Sequence, residues 1–431
     1  MKVRSLIVFI LCSMWVMPMG AMSLDSCRAM ANRHYPLIAQ YDLIRQSEEF
    51  SVQNAARSWI PKLYLSAQAT YQSDAANMSE VWSSMGLDAM LQQMGKEIPD
   101  LYMRKFQGKV QLDIQQNIWD GGKSTADKRI AEAEAKKNAA QVDVDMYHLE
   151  NRIDNLYFGI LLLDEQLEQT ERLIVLLNEN LERVQALYNN NVVLQSDVDA
   201  VEVETLSAGQ KLEQIRSSRL AYRQMLSLLV GVDITEEQLE HPAEIETSLE
   251  ATCERPEVSL LNAKSDLLAA QMKTIRSYSM PQFTAFASGW YGYPTLNMFK
   301  SMQSAEWGLD ALVGVKMSWN IGAYYTQGNR IKLLQNSQQQ IAVQKDVFLF
   351  NRRLERTQEN GEIVRLRKAL QDDDRIVRLR QSVREAAESQ YRHGTITTND
   401  LLQRITDENN ARSARAIHQI QLIQKEYEMQ E

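Results

Sequence analysis

Cysteine is nearly absent: the three in 431 residues, Cys12, Cys27 and Cys253, form no metal-binding spacing and no framework of bridges. Whether Cys27 and Cys253 pair is left open by the sequence. The five histidines (His34, His148, His241, His393, His418) are scattered, with no two at ligand spacing. No serine or cysteine sits in a nucleophile-elbow context. Gly121-Gly122-Lys123-Ser124 ends like a phosphate loop, but Asn117 stands where the first glycine should be, so a strand-to-helix corner is the better reading. Nothing here predicts an enzyme, a bound metal or a cofactor. Basic charge is also short: 47 Lys and Arg against 56 Asp and Glu give a net charge of −9. That argues against nucleic acid or an anionic bilayer surface as partner. Beyond the first two dozen residues no run approaches 18 apolar residues, so no membrane-spanning helix is expected.

The chain opens with Met1-Lys2-Val3-Arg4, an apolar stretch from Ser5 to Met19, and small residues around an Ala21-Met22-Ser23 cleavage site. This is the pattern of a secretory leader, residues 1–23; the run is short for the competing reading, a membrane anchor. An exported chain without a spanning helix is either soluble or enters a membrane as a β-barrel.

Tryptophan sorts the rest. Trp59, Trp82, Trp119, Trp290, Trp307 and Trp319 all fall within 59–119 or 290–319, and the remainder has a helical composition. In the aromatic segments apolar residues alternate: Leu63, Leu65, Ala67, Ala69, Tyr71; Val110, Leu112, Ile114; Phe283, Ala285, Ala287, Tyr291; Ala311, Val313, Val315, Met317, Trp319. Four such strands fit tilted membrane strands with Trp59, Trp119, Trp290 and Trp319 at the interfaces, or a small soluble sheet with one wet face. Open edges cannot sit in lipid, so membrane strands would have to be pooled among several chains. Residues 72–105 and 294–307 read as long irregular loops.

The helical parts are long. From the glycine corner to Asn189-Asn190-Asn191 there is no proline and only Gly159 interrupts, giving roughly 100 Å of helix at ~1.5 Å per residue. Leu149, Ile153, Leu156, Ile160, Leu163, Leu167, Ile174, Leu177, Leu181, Val184 and Tyr188 step by four and three, a coiled-coil stripe that fails only at Thr170. A helix returns over about 195–229. A second long helix, 324–391, carries a thinner stripe (Ile363, Leu366, Leu370, Val377, Val383), turns at His393-Gly394-Thr395 and returns to the C-terminus. The run Asp372-Asp373-Asp374 reads as a solvated helix face rather than a cation site.

One pattern occurs twice at a fixed offset of 203 residues. Asn117-Ile118 reappears as Asn320-Ile321, Tyr188 as Tyr391, Asp197 as Asp400 and Ala208 as Ala411. The chain therefore divides into a leader (1–23), a first repeat (24–230), a connector (231–255) and a second repeat (256–431).

Several of these features resemble the TolC-like outer-membrane efflux proteins. They are the leader, the duplicated strand–strand–helix–helix unit, the corner Trp119-Asp120-Gly121-Gly122 and Arg255-Pro256-Glu257. The tip motifs Tyr188-x-x-Asn191-x-x-x-x-x-Asp197-Val198 and Tyr391-x-x-Gly394-x-x-x-x-x-Asp400-Leu401 join them, and the resemblance covers essentially the whole mature chain. It implies a mainly α fold with a membrane β-barrel portion: long helical hairpins forming a periplasmic α-barrel, and four strands per chain in a 12-stranded barrel shared by a homotrimer. It implies passive conduction of drugs or other small molecules, with a periplasmic adaptor and an inner-membrane transporter (RND, ABC or MFS type) as partners and outer-membrane lipid around the strands. The alternatives are the channel of a type I protein secretion system or, in another class, a periplasmic coiled-coil adaptor or structural protein. By the same resemblance Asp400 is a pore-facing acid, Tyr391 pairs with Asp197 beside Ser196, and Asn191, Val192, Gly394 and Thr395 meet the adaptor. The sequence departs at Gln403, where a second acid is often found, and at Ile396, where a basic tie can occur, so packing is expected to carry more of the closed state. For Asp197 and Asp400, capping of the helix that follows each turn is the competing role.

Overall fold

The computed structural model describes residues 21–95, 101–243 and 255–430. Most of the leader, the Cys253 end of the connector and a few residues of the 72–105 segment fall outside these. In chain order the elements are helices α1 (Leu24–His34) and α2 (Ala39–Arg57), strand β1 (Lys62–Tyr71), short helices α3 (Met78–Ser84) and α4 (Leu87–Gln93), strand β2 (Phe106–Trp119), and helices α5 (Lys123–Asn189) and α6 (Gln195–Val230). The second half repeats the order with α7 (Pro256–Ser277), β3 (Gln282–Tyr293), α8 (Met298–Gln303), β4 (Gly308–Ser318), α9 (Ala323–Arg392) and α10 (Thr398–Gln430). All four expected strands and both long hairpins are present. The segments expected to be irregular instead contain α3, α4 and α8. Asparagine caps start two of these helices: Asn77 accepts from the Ser79 N–H at 3.0 Å and Asn297 from the Lys300 N–H at 3.1 Å.

Two compact units divide the chain: Leu43–Ala139 with Leu260–Gln344, and Met1–Asp42 with Ala140–Ser259 and Lys345–Glu431. The first holds the sheet, antiparallel throughout in the order β1-β2-β3-β4. Its register aligns apolar residues across all four strands: Leu65 faces Leu112, Leu112 faces Gly289 and Gly289 faces Ala311, while Leu63, Ile114, Ala287 and Val313 form the next row. The other face carries Ser66, Gln111, Asp113, Ser288 and Lys316. At the strand-to-helix corner Asp120 accepts from the Gly122 N–H at 3.0 Å and the Ser124 N–H at 2.8 Å, while Gly121 and Gly122 take φ of 71° and 83°. A carboxylate occupies these N–H groups, so the corner is not a phosphate cradle. Asn320, 200 residues after Asp120 and the repeat counterpart of Asn117, makes a similar cap, accepting from the Ala323 N–H at 3.2 Å.

The second unit holds most of the hairpins. Ile153, Tyr157, Ile160 and Leu161 of α5 are fully buried. Thr170, which breaks the apolar stripe, lies on the buried face at 4% exposure, its hydroxyl donating to the Gln166 carbonyl at 2.7 Å. Gly159 has a packing reason: a Cβ there would lie 2.7 Å from the Tyr222 ring of α6. Near the connector, the Tyr157 hydroxyl lies 2.8 Å from the Met22 carbonyl and 2.7 Å from that of Glu240, and Met22 bridges Leu239. Cys27 is a free, buried thiol, pushed up to about 12 by desolvation and then by Asp154, so it is inert at neutral pH.

The α9/α10 hairpin compensates for its thin apolar stripe with charge. Arg367 pairs with Glu426 at 2.6 Å, Asp374 with Arg415 at 2.6 Å, Arg380 with Asp407 at 2.7 Å, and Arg384 with Glu408. Asp372 and Asp374 of the aspartate run are exposed, as expected of a solvated face, but Asp373 bonds His418 Nδ1 at 2.6 Å and is 8% exposed. Ile363 and Leu366 supply the apolar contact with Leu422 and Met429.

Truncating Ile153, fully buried, to alanine is expected to cost about 2–5 kcal/mol. Val203→Ala, at a site 59% exposed, should stay within about 0.5 kcal/mol. Thermal unfolding of the two variants side by side checks the assignment of the buried face.

Candidate functional site

Both long helices end in turns built from the same bonds. In the first hairpin the Asn191 N–H donates to the Tyr188 carbonyl at 2.8 Å and the Val192 N–H to Leu187 at 3.0 Å. In the second, 203 residues later, the Gly394 N–H donates to Tyr391 at 3.0 Å and the Thr395 N–H to Gln390 at 3.0 Å. Such a turn needs one left-handed residue, supplied by Asn191 at φ 58° and Gly394 at φ 69°.

The acids beyond each turn are caps. Asp197 accepts from the Leu194 N–H at 3.0 Å, and Asp400 from the Thr397 N–H at 3.1 Å and hydroxyl at 2.7 Å. The Asp400 N–H returns a bond to Thr397 Oγ1 at 3.2 Å, closing a reciprocal capping box. Its carboxyl is held below the ordinary 3.8, first by the Thr397 hydroxyl and then by its N–H. The expected Tyr391–Asp197 pair is replaced by local bonds: Asp197 is turned to its own helix start, and the buried Tyr391 hydroxyl lies 3.1 Å from Thr398 Oγ1. Tyr188, the repeat partner of Tyr391, is 37% exposed, so the pair has diverged.

The tips share one apolar core. Leu177, Val184, Val198 and Val201 from the first hairpin pack with Ala387, Tyr391, Leu401 and Ile405 from the second, and Ile396 packs against the same cluster. Two cavities flank this core. One, of about 500 Å³, is bounded by Val192, Asp197, Tyr391, Gly394 and Ile396. The other, of about 540 Å³, brings Ser196 and Gln403 together with Asp199, Glu204 and Asp407. Of the tip residues singled out in the sequence, Asp197, Tyr391, Val192 and Gly394 therefore meet at one cavity and Ser196 and Gln403 at another; Asn191, Thr395 and Asp400 line neither. Sequence reading missed Thr397 and Thr398. The Thr397-x-x-Asp400 spacing, a capping-box signature, could have found the first.

In the sheet unit, Trp59, Trp119 and Trp319 lie at the helix-proximal end. Trp119 packs on Phe283 at 6.1 Å and the Trp319 indole N–H donates to the Ser279 carbonyl at 3.0 Å. Trp290 lies toward the far end, under the Lys109 ammonium at 5.9 Å. Tyr71, Phe106, Tyr291 and Trp307 complete that far row, with Tyr291 and Trp307 5.7 Å apart.

Residues 29–232 match the family model described as outer membrane efflux protein. Over this stretch, just under half of its length, the chain is similar to outer membrane efflux proteins. Solved structures of similar fold include the outer membrane protein VceC from Vibrio cholerae, 17% identical, covering 93% of each chain at a TM-score of 0.66. The Neisseria gonorrhoeae MtrE channel in its open state is 14% identical, covering 94% of this chain and 88% of that one, TM-score 0.66. The Campylobacter jejuni CmeC outer membrane channel is 12% identical, covering 94% and 86%, TM-score 0.64. No curated protein matches the sequence. At such identities the likeness to these efflux-family structures is one of fold: long helical hairpins with four antiparallel strands.

A group with a depressed acid constant stabilises the fold above its ordinary value and stops doing so as pH falls through the lowered one. The second turn should therefore loosen only below pH 3.8. Hydrogen exchange at the Thr397 and Asp400 amides, corrected for intrinsic rates, should rise in that window, and Asp400→Asn should abolish the dependence. Tyr391→Phe, which leaves the buried Thr398 hydroxyl unpaired, should cost about 1–3 kcal/mol in thermal unfolding.

Proposed function

We propose that the protein is an outer-membrane exit duct: three copies pool their strands in lipid, and the helical hairpins form a conduit through the periplasm. The observation that carries this reading is the sheet. Leu63, Leu65, Leu309, Val313 and Val315 are 66%, 76%, 81%, 76% and 66% exposed on an apolar face, and the outer edges of β1 and β4 have no strand partner among the described residues. Water would penalise the face and lipid would penalise the edges. Both are relieved when β1 of one copy pairs with β4 of the next, giving twelve strands from three chains. The aromatic rows at the two ends of the strands suit the two membrane interfaces.

The cargo is drugs or other small molecules, moved passively outward and powered by an inner-membrane transporter joined through a periplasmic adaptor. The adaptor meets the tips at Asn191, Val192, Gly394 and Thr395, of which Val192 and Gly394 border the cavity of about 500 Å³. The tips are the gate. Their shared core, with Ile396 in it, supports a closed state held mainly by packing, while Asp400 and Gln403 stand where the passage narrows.

Single cysteines placed along β1 and β4, beginning with Leu65→Cys and Val313→Cys in one chain, should give disulfide-linked trimers in the native outer membrane. Recovery of the protein as a folded monomer in detergent-free buffer would end the channel reading. For the gate, Asp197→Ala with Tyr391→Phe should raise single-channel conductance in planar bilayers; unchanged conductance would leave these residues a role in the turns alone.

A further inference from the structure

Among the described residues of this acidic chain lies a groove of the opposite sign. It lies within the helical unit, between α5, α9 and α10, and has a volume of about 480 Å³, within the range of small-molecule sites. Arg172, Arg378, Arg412 and Arg415 line it, against two acids, Glu165 and Asp374. These positions converge from three helices at roughly 20–25 Å from the tip turns, counted at ~1.5 Å per residue. The arginines are not all consumed by partners. Arg378 is exposed and makes no ion pair among the described residues. Arg415 pairs with Asp374 at 2.6 Å, with side chains 44% and 54% exposed, a surface pair worth little and easily exchanged. Arg172 pairs within its own helix turn with Glu168. Only Arg412 is committed, to the buried Glu408 at 2.7 Å and to Gln381 at 3.2 Å.

A second observation marks the groove as a site. Gln169, also in its lining, is 9% exposed, yet its Oε1 has no hydrogen-bond partner. A buried carbonyl oxygen left without a donor is costly, while the Nε2 end of the same amide makes no hydrogen bond among the described residues. Its N–H end is free to serve as a donor beside the guanidinium forks around it. The geometry points to a binding site for a small polyvalent oxyanion, of oligophosphate or polycarboxylate type, bridging the first hairpin to the second through Arg172, Arg378 and Arg415. Forked donors suit paired anionic oxygens, and such a ligand would release Arg415 from its surface pair. This site does not depend on the conduction reading.

Titration calorimetry on the full-length protein in detergent, with tripolyphosphate and with citrate as separate arms, tests it. Binding of at least one anion is expected, falling with added salt, and the arm that binds names the chemistry. Arg378→Gln alone should weaken it at least threefold, and Arg378→Gln with Arg415→Gln at least tenfold. Arg216→Gln, outside the groove, should bind as the native protein does. The single variant removes an exposed, unpaired side chain, so it reports even if the double variant fails to fold. No measurable binding of either anion, native affinity in Arg378→Gln, or binding of a glutamate-rich peptide alone would overturn the proposal.

Discussion

Backbone N–H and C=O groups along the outer edges of β1 and β4 are the constraint on which the rest of the structure depends. In water they would be solvated, but the apolar face beside them would not tolerate water; in lipid the face is at ease and the edges are not. Neither solvent suits the sheet alone. The four strands are therefore half-specified objects, whose side-chain alternation and hydrogen-bond register are complete while, on the proposed reading, their closure is left to another copy. The register shows how strictly the face is kept. Gly289 and Ala311 continue the row begun by Leu65 and Leu112, and Phe283 faces Met317 where the strands near their helix-proximal end.

Duplication preserved backbone chemistry more faithfully than side chains. The turn bonds at Asn191–Val192 recur at Gly394–Thr395, donor for donor, and a short side-chain acceptor tops each long helix, Asp120 in one case and Asn320 in the other. What sits on those frames has drifted. Tyr391 is buried in the tip core while Tyr188 is largely outside it, and Thr397 builds a reciprocal cap where Leu194 offers only its backbone. A turn depends on φ and a handful of local bonds, so it tolerates little change. Burial depends on what packs opposite, and the two hairpins have different neighbours.

The same distinction explains what was legible in the sequence. Strand faces and hairpin ends could be read from Leu63 to Tyr71 and from Asn191 or Gly394, because alternation and left-handed turns are local. The helices in the 72–105 and 294–307 segments were missed because three-turn or shorter helices leave no periodic record; their signal was a single asparagine cap each at Asn77 and Asn297. Thr170 looked like a defect because a hydroxyl satisfied by its own helix cannot be seen in a hydropathy pattern. Asp373 looked solvated because its partner, His418, lies 45 residues away on another helix. At the tips, the acids were found but their partners were not: the sequence suggested a reach from Asp197 to Tyr391, and local capping, which satisfies the same oxygens at less entropic cost, took precedence.

The two hairpins share a backbone plan and combine the same two forces: ion pairs, such as Arg223–Asp164 in the first and Arg380–Asp407 in the second, and apolar packing, with the larger aliphatic and aromatic share on α5. The α5 face relies on large aliphatic and aromatic side chains, whose contribution weakens on cooling and is little touched by electrolyte. The α9/α10 contact relies on a row of partly exposed ion pairs, which electrolyte screens over a Debye length of roughly 8–10 Å at physiological strength. Cold shock should thus bear most on the first hairpin, with its larger apolar face, while salt screens the exposed ion pairs of both.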